Sequence, residues 1–65
     1  MTNNQLLATK REQLITNGFK VLGTWFDKEL RQDKETWYKG NHQIRIIQTL
    51  NPNNTIKTLD IIDLP

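Results

Sequence analysis

Apolar positions in this chain change their period near residue 18. Before it, Leu7, Ala8, Leu14 and Ile15 fall on one side of a wheel with 3.6 residues per turn. After it, aromatic and β-branched residues alternate with polar ones, the two-residue period of a strand. The first segment predicts a helix over residues 3–17. Thr2-Asn3-Asn4-Gln5 has the form of a capping box, a Thr hydroxyl for an orphan N–H and a Gln to reach back. Asn17-Gly18-Phe19 predicts the stop, with Gly18 in the left-handed position after the cap and Phe19 packing back on Leu14. Arg11 interrupts the apolar stripe. Its stem is expected to cover apolar surface while its head reaches water or stacks on a Trp; the sharper reading keeps it for an anionic ligand.

Strands are predicted over residues 19–26, 35–39, 42–50 and 55–63. Gly40-Asn41 suits a tight primed turn. That turn would pair Lys39 with His42, Tyr38 with Gln43, Trp37 with Ile44 and Glu35 with Ile46. Asn51-Pro52-Asn53-Asn54 suits a four-residue loop around a type I turn. It would pair Leu50 with Thr55, Ile46 with Leu59, Ile44 with Ile61 and Arg45 with Asp60, the last an opposite-charge pair. In the first strand, Phe19, Val21 and Trp25 are expected to point one way and Lys20, Leu22, Thr24 and Phe26 the other. Gly23 marks a bulge or a close backbone approach. Residues 27–35, DKELRQDKE, read as a long hairpin loop or as two strand extensions meeting near Arg31-Gln32, although their helix propensity is good.

The expected fold is α+β: one N-terminal helix packed on one face of a four-stranded antiparallel β-meander, a single domain over residues 1–65. Its core would be Leu7, Leu14, Ile15, Phe19, Val21, Trp25, Trp37, Ile44, Ile46, Leu59 and Ile61. The other face would carry Leu22, Phe26, Tyr38, Ile47, Ile56 and Ile62 among Lys20, Thr36, Gln43, Arg45, Thr49 and Thr58. One helix cannot cover both faces. An apolar cluster of that kind on an uncovered face points to contact with another molecule.

Composition narrows the chemistry. The chain has 65 residues, a net charge of +2 and a pI of about 9.2. It contains neither cysteine nor serine, which excludes a disulfide framework, a thiolate metal site and a serine or cysteine nucleophile. The one histidine, His42, sits beside a turn, and the three glycines are too dispersed for a phosphate loop. No catalytic residue, metal ligand or cofactor is assigned, and an enzyme is not expected. No apolar run approaches the roughly 20 residues that span a bilayer, and no apolar signal core opens the chain, so a cytoplasmic protein is expected. Abundant Asn, Thr, Ile and Lys resemble the products of AT-rich genomes, including phages and other mobile elements, where a small protein can be an accessory or inhibitor.

The leading functional expectation is therefore a non-enzymatic interaction module. It would self-associate as a homodimer and bind a protein partner through the helix-free sheet face or the charged loop 27–35. The candidate contact residues are Lys20, Phe26, Leu30, Tyr38, Lys39, Arg45 and Ile47. Two alternatives use overlapping residues. In a nucleic-acid binder, Phe26 and Tyr38 would stack bases while Lys20, Lys39 and Arg45 track phosphates. In a small-molecule or anion binder, Arg11, Arg45 or Trp25 would line a site between two copies.

Overall fold

The computed structural model describes residues 1–64. Helix α1 spans Asn3–Thr16 and is followed by strands β1 (Lys20–Asp27), β2 (Gln32–Lys39), β3 (His42–Leu50) and β4 (Ile56–Leu64). The strands form one antiparallel sheet in the order β1-β2-β3-β4. This is the expected α+β meander.

Local chemistry sets both helix ends. The Thr2 backbone N–H donates to Gln5 Oε1 (2.8 Å), and the Gln5 N–H donates to Thr2 Oγ1 (3.2 Å), closing the capping box. At the other end Gly18 has φ +87°, the left-handed conformation that a Cβ disfavours. Phe19 N–H donates to Leu14 O at 2.9 Å and Gly18 N–H to Ile15 O at 3.0 Å, the paired bonds of a Schellman motif. Each reversal follows its own residues too. Gly40 alone has positive φ (+59°) in the β2–β3 turn, the pattern of a primed turn with glycine first. The β2–β3 register is the expected one, from Lys39–His42 to Glu35–Ile46.

The charged segment is not a long loop. β1 and β2 extend to Asp27 and Gln32, leaving a tight turn at Lys28–Arg31. The Asp27 carboxylate accepts from the backbone N–H groups of Glu29 and Leu30, and Arg31 takes φ +51° to complete the reversal. Arg31 then reaches the neighbouring β3–β4 loop. Its Nη2 donates to Asn51 O (3.2 Å) and Asn54 Oδ1 (3.0 Å), fastening the two turns at that end of the sheet.

Two bulges on the two edge strands revise the expected faces. In β1 the register slips between Val21 and Gly23, so Leu22 is inserted and parity reverses beyond it. Trp25 therefore opposes Lys34 on the helix-free side, and Phe26 opposes Asp33 on the helix side, the reverse of the expected assignment. In β4 the reversal takes Asn51 to Thr55 and Lys57 bulges out, so Leu50 pairs with Ile56 and Thr49 with Thr58. The combined slip from the expected register is two residues. An even slip preserves faces: Leu59 and Ile61 stay on the helix side. It does overturn the Arg45–Asp60 pair, since Arg45 opposes Ile62 and Asp60 opposes Ile47. Ile56 moves from the expected open face to the helix side, where it packs against the core.

The core is smaller than expected. Leu7, Leu14, Trp37, Ile44 and Ile46 are buried, with Phe19, Ile56 and Leu59 packed against them. Each such side chain contributes roughly 1.5–3 kcal/mol of burial. Leu7 and Leu14, two turns apart, are the helix's only buried residues. Ile15, Val21, Trp25 and Ile61, all expected inside, lie 43–64% exposed. The reason is placement: α1 makes its main approach to β4 at one side of the sheet, and β1 contributes no residue to the core. A half-buried ion pair completes the helix–sheet contact. Arg11 Nε and Nη2 both reach Glu35 Oε1, at 2.9 and 2.8 Å. Arg11 thus takes up an internal carboxylate, with its own side chain still 42% exposed. The Trp37 indole N–H is buried without a hydrogen-bond partner among the described residues.

Candidate functional site

The helix-free face is built in four rows across the sheet. Lys20, Tyr38, Gln43 and Leu64 form the first row, and Gly23, Thr36, Arg45 and Ile62 the second. Trp25, Lys34, Ile47 and Asp60 form the third, and Asp27, Gln32, Thr49 and Thr58 the fourth. Among the described residues no element packs over this face, since α1 lies on the other side of the sheet.

Arg45 is the centre of the face. Its guanidinium carbon lies 4.9 Å from the centroid of a Trp25 ring, an attractive stacking of cation on π-face. Its Nε donates to Thr36 Oγ1 at 3.2 Å, and Thr36 is itself buried. These two contacts hold the guanidinium between Trp25 and Thr36. Among the described residues Arg45 makes no ion pair; the salt bridges present are Arg11–Glu35, Lys34–Asp27 and His42–Asp63. Half-buried Tyr38 and Ile47, with Trp25 and Ile62 each 43% exposed, surround it with apolar surface. Lys20 and Lys34 add positive charge, and Lys34 approaches the Asp27 carboxylate at 3.9 Å.

Of the seven candidate contact residues, Lys20, Tyr38, Arg45 and Ile47 share this face. The other three do not. Phe26 is carried to the helix side by the β1 bulge. Lys39 also lies on the helix side, where its side chain passes Gly18 at the end of α1. Leu30 sits 58% exposed at the tip of the Asp27–Gln32 turn, a separate projection. Trp25, expected in the core or at a site between two copies, lies on this face because the β1 bulge breaks an alternation counted straight through it. Gly23 was the available signal.

The remaining surface offers shallow depressions. One of about 250 Å³ lies on the outer helix side, lined by Thr9, Glu12, Gln13, Thr16 and Asn17. Another of about 220 Å³ surrounds the Arg11–Glu35 pair, where the cation is already matched by its carboxylate. Among the described residues no group of three His, Asp or Glu side chains could hold a metal ion, and no helix is long and apolar enough to cross a membrane. Comparison with protein-family models, with curated proteins and with solved structures returns no match.

Proposed function

We propose that this protein is a non-enzymatic interaction module that binds an acidic protein segment on its helix-free face. The observation that carries the reading is Arg45, stacked on Trp25, tethered to Thr36 and without a carboxylate partner among the described residues. A guanidinium fixed in this way has already lost much of its side-chain freedom. Its terminal N–H groups can then take a carboxylate at low entropic cost. Trp25, Tyr38, Ile47 and Ile62 provide the apolar surround that excludes water from such a contact.

A glutamate-rich peptide with interspersed aromatic residues tests the reading, titrated against the labelled protein and followed by amide chemical shifts. Shifts confined to Trp25, Thr36, Tyr38, Arg45 and Ile47, and lost in Arg45→Gln, are expected. A mixed-sequence single-stranded oligonucleotide is titrated in parallel. Binding by the oligonucleotide alone, fading steeply as salt rises, would replace this reading with nucleic-acid recognition. Silence from both ligands would remove the face as a binding site for either class.

A further inference from the structure

We infer that β1 pairs with β1 of a second copy, joining two four-stranded sheets into one continuous eight-stranded sheet. β1 is an edge strand, hydrogen-bonded on one side only, by β2. An edge of this kind is a template for another strand. It is also the most apolar exposed segment of the molecule. Val21, Leu22, Trp25 and Phe26 are 43–58% exposed, and none of them belongs to the core.

The sequence of β1 selects its own copy as occupant. Full overlap in an antiparallel two-fold arrangement sets Lys20 opposite Asp27 of the second copy, and Val21 opposite Phe26. With Leu22 left inserted in each copy, Gly23 then meets Trp25 on the helix-free face and Thr24 meets Thr24 at the axis. Lys20 and Asp27 both lie on the helix-free face, and Val21 and Phe26 both lie on the helix side. The register therefore matches charge to opposite charge and apolar to apolar on each face, twice over by symmetry. The other edge fails the same test. Full overlap of β4 (Ile56–Leu64) with itself would set Asp60 against Asp60, a like-charge pair.

Gly23 is a second, independent indication. It lacks positive φ, and a Cβ built there would meet nothing within 4 Å. The bulge beside it tolerates a glycine without requiring one, since φ is ordinary and the space is open. Its place opposite Trp25 of the second copy favours one, because a residue without a side chain leaves room for that ring across the pair. The joined sheet would also bring the two Trp25–Arg45 clusters onto one doubled face.

The test uses the full chain at increasing concentration, by size-exclusion chromatography with light scattering. The expected result is a species of twice the 7.7 kDa chain mass. Lys20→Glu should weaken the dimer roughly tenfold, since symmetry applies the charge clash twice, while Lys57→Glu on β4 leaves it intact. Circular dichroism confirms that both variants fold. The chain has no cysteine, so Thr24→Cys should form a disulfide-linked dimer under mild oxidation and Lys57→Cys should not. A monomer at every concentration would overturn the inference. So would a dimer indifferent to Lys20→Glu, or an open-ended polymer joining β1 to β4.

Discussion

Arg11 on the helix and Glu35 in the middle of β2 meet at a single carboxylate oxygen, with both Arg11 nitrogens within 2.9 Å of it. The two partners are unequal. The Glu35 side chain is 8% exposed and that of Arg11 42%, so the carboxylate depends on the arginine more than the reverse. This contact and the two buried leucines are what hold the helix to the sheet.

Arg11→Ala should cost about 2 kcal/mol, because it strands a buried carboxylate; the half-exposed arginine keeps the loss below that of a fully buried pair. Arg11→Met combined with Glu35→Leu should recover most of it, since a well-packed apolar pair can replace a buried ion pair. Urea denaturation of the two variants gives the comparison. Equal losses would mean that the charge pairing is not what stabilises the contact.

Trp37→Ala should remove about 3–5 kcal/mol, enough to unfold a domain this small. Trp37→Phe should be much milder. It deletes the indole N–H that has no partner among the described residues, and an unpaired buried donor costs about 1–3 kcal/mol. Thermal melts separate the two, and a Phe variant as unstable as the Ala variant would contradict the burial described.

The tryptophans should differ spectroscopically. Trp37 is 5% exposed and Trp25 is 43% exposed. In dilute monomer, iodide should quench one emitting component, and Trp25→Phe should abolish the quenchable fraction while changing stability by less than about 1 kcal/mol. Quenching that persists in Trp25→Phe would place Trp37 near solvent.

Two glycine substitutions should part company. Gly18→Ala forces a Cβ into φ +87° and should cost about 1–2 kcal/mol. Gly23→Ala meets open space at ordinary φ and should be neutral, or stabilising by up to about 1 kcal/mol in the monomer. Chemical denaturation at low concentration reads both.

The elements and one hairpin register were legible because local residues determine them. Thr2 and Gln5, Gly18, and Gly40 each satisfy or relieve a specific backbone group, and the structure follows them. What was not legible depended on single inserted residues and on where the helix came to rest. A straight alternation through β1 put Trp25 inside and Phe26 outside; the Leu22 insertion reversed both. The β4 register slipped by two, so its faces survived while the Arg45–Asp60 partnership did not. The Arg11–Glu35 contact crosses from helix to sheet over 24 positions, a distance at which no spacing rule applies. That Tyr38, Arg45 and Ile47 share one face was legible, because they lie on β2 and β3, whose mutual register is unbroken.

The bulge at Leu22 also gives this sequence a place to change length. Leu22 is the one residue of β1 without a partner on β2, so its removal would join Lys20–Tyr38, Val21–Trp37 and Gly23–Thr36 into one unbroken register with every face kept. A second single deletion within the strand would have no such slack and would carry one half of the strand through to the opposite side of the sheet. In a lineage of such proteins, one lone gap in β1 is therefore compatible with the Trp25–Arg45 stack, and two are not.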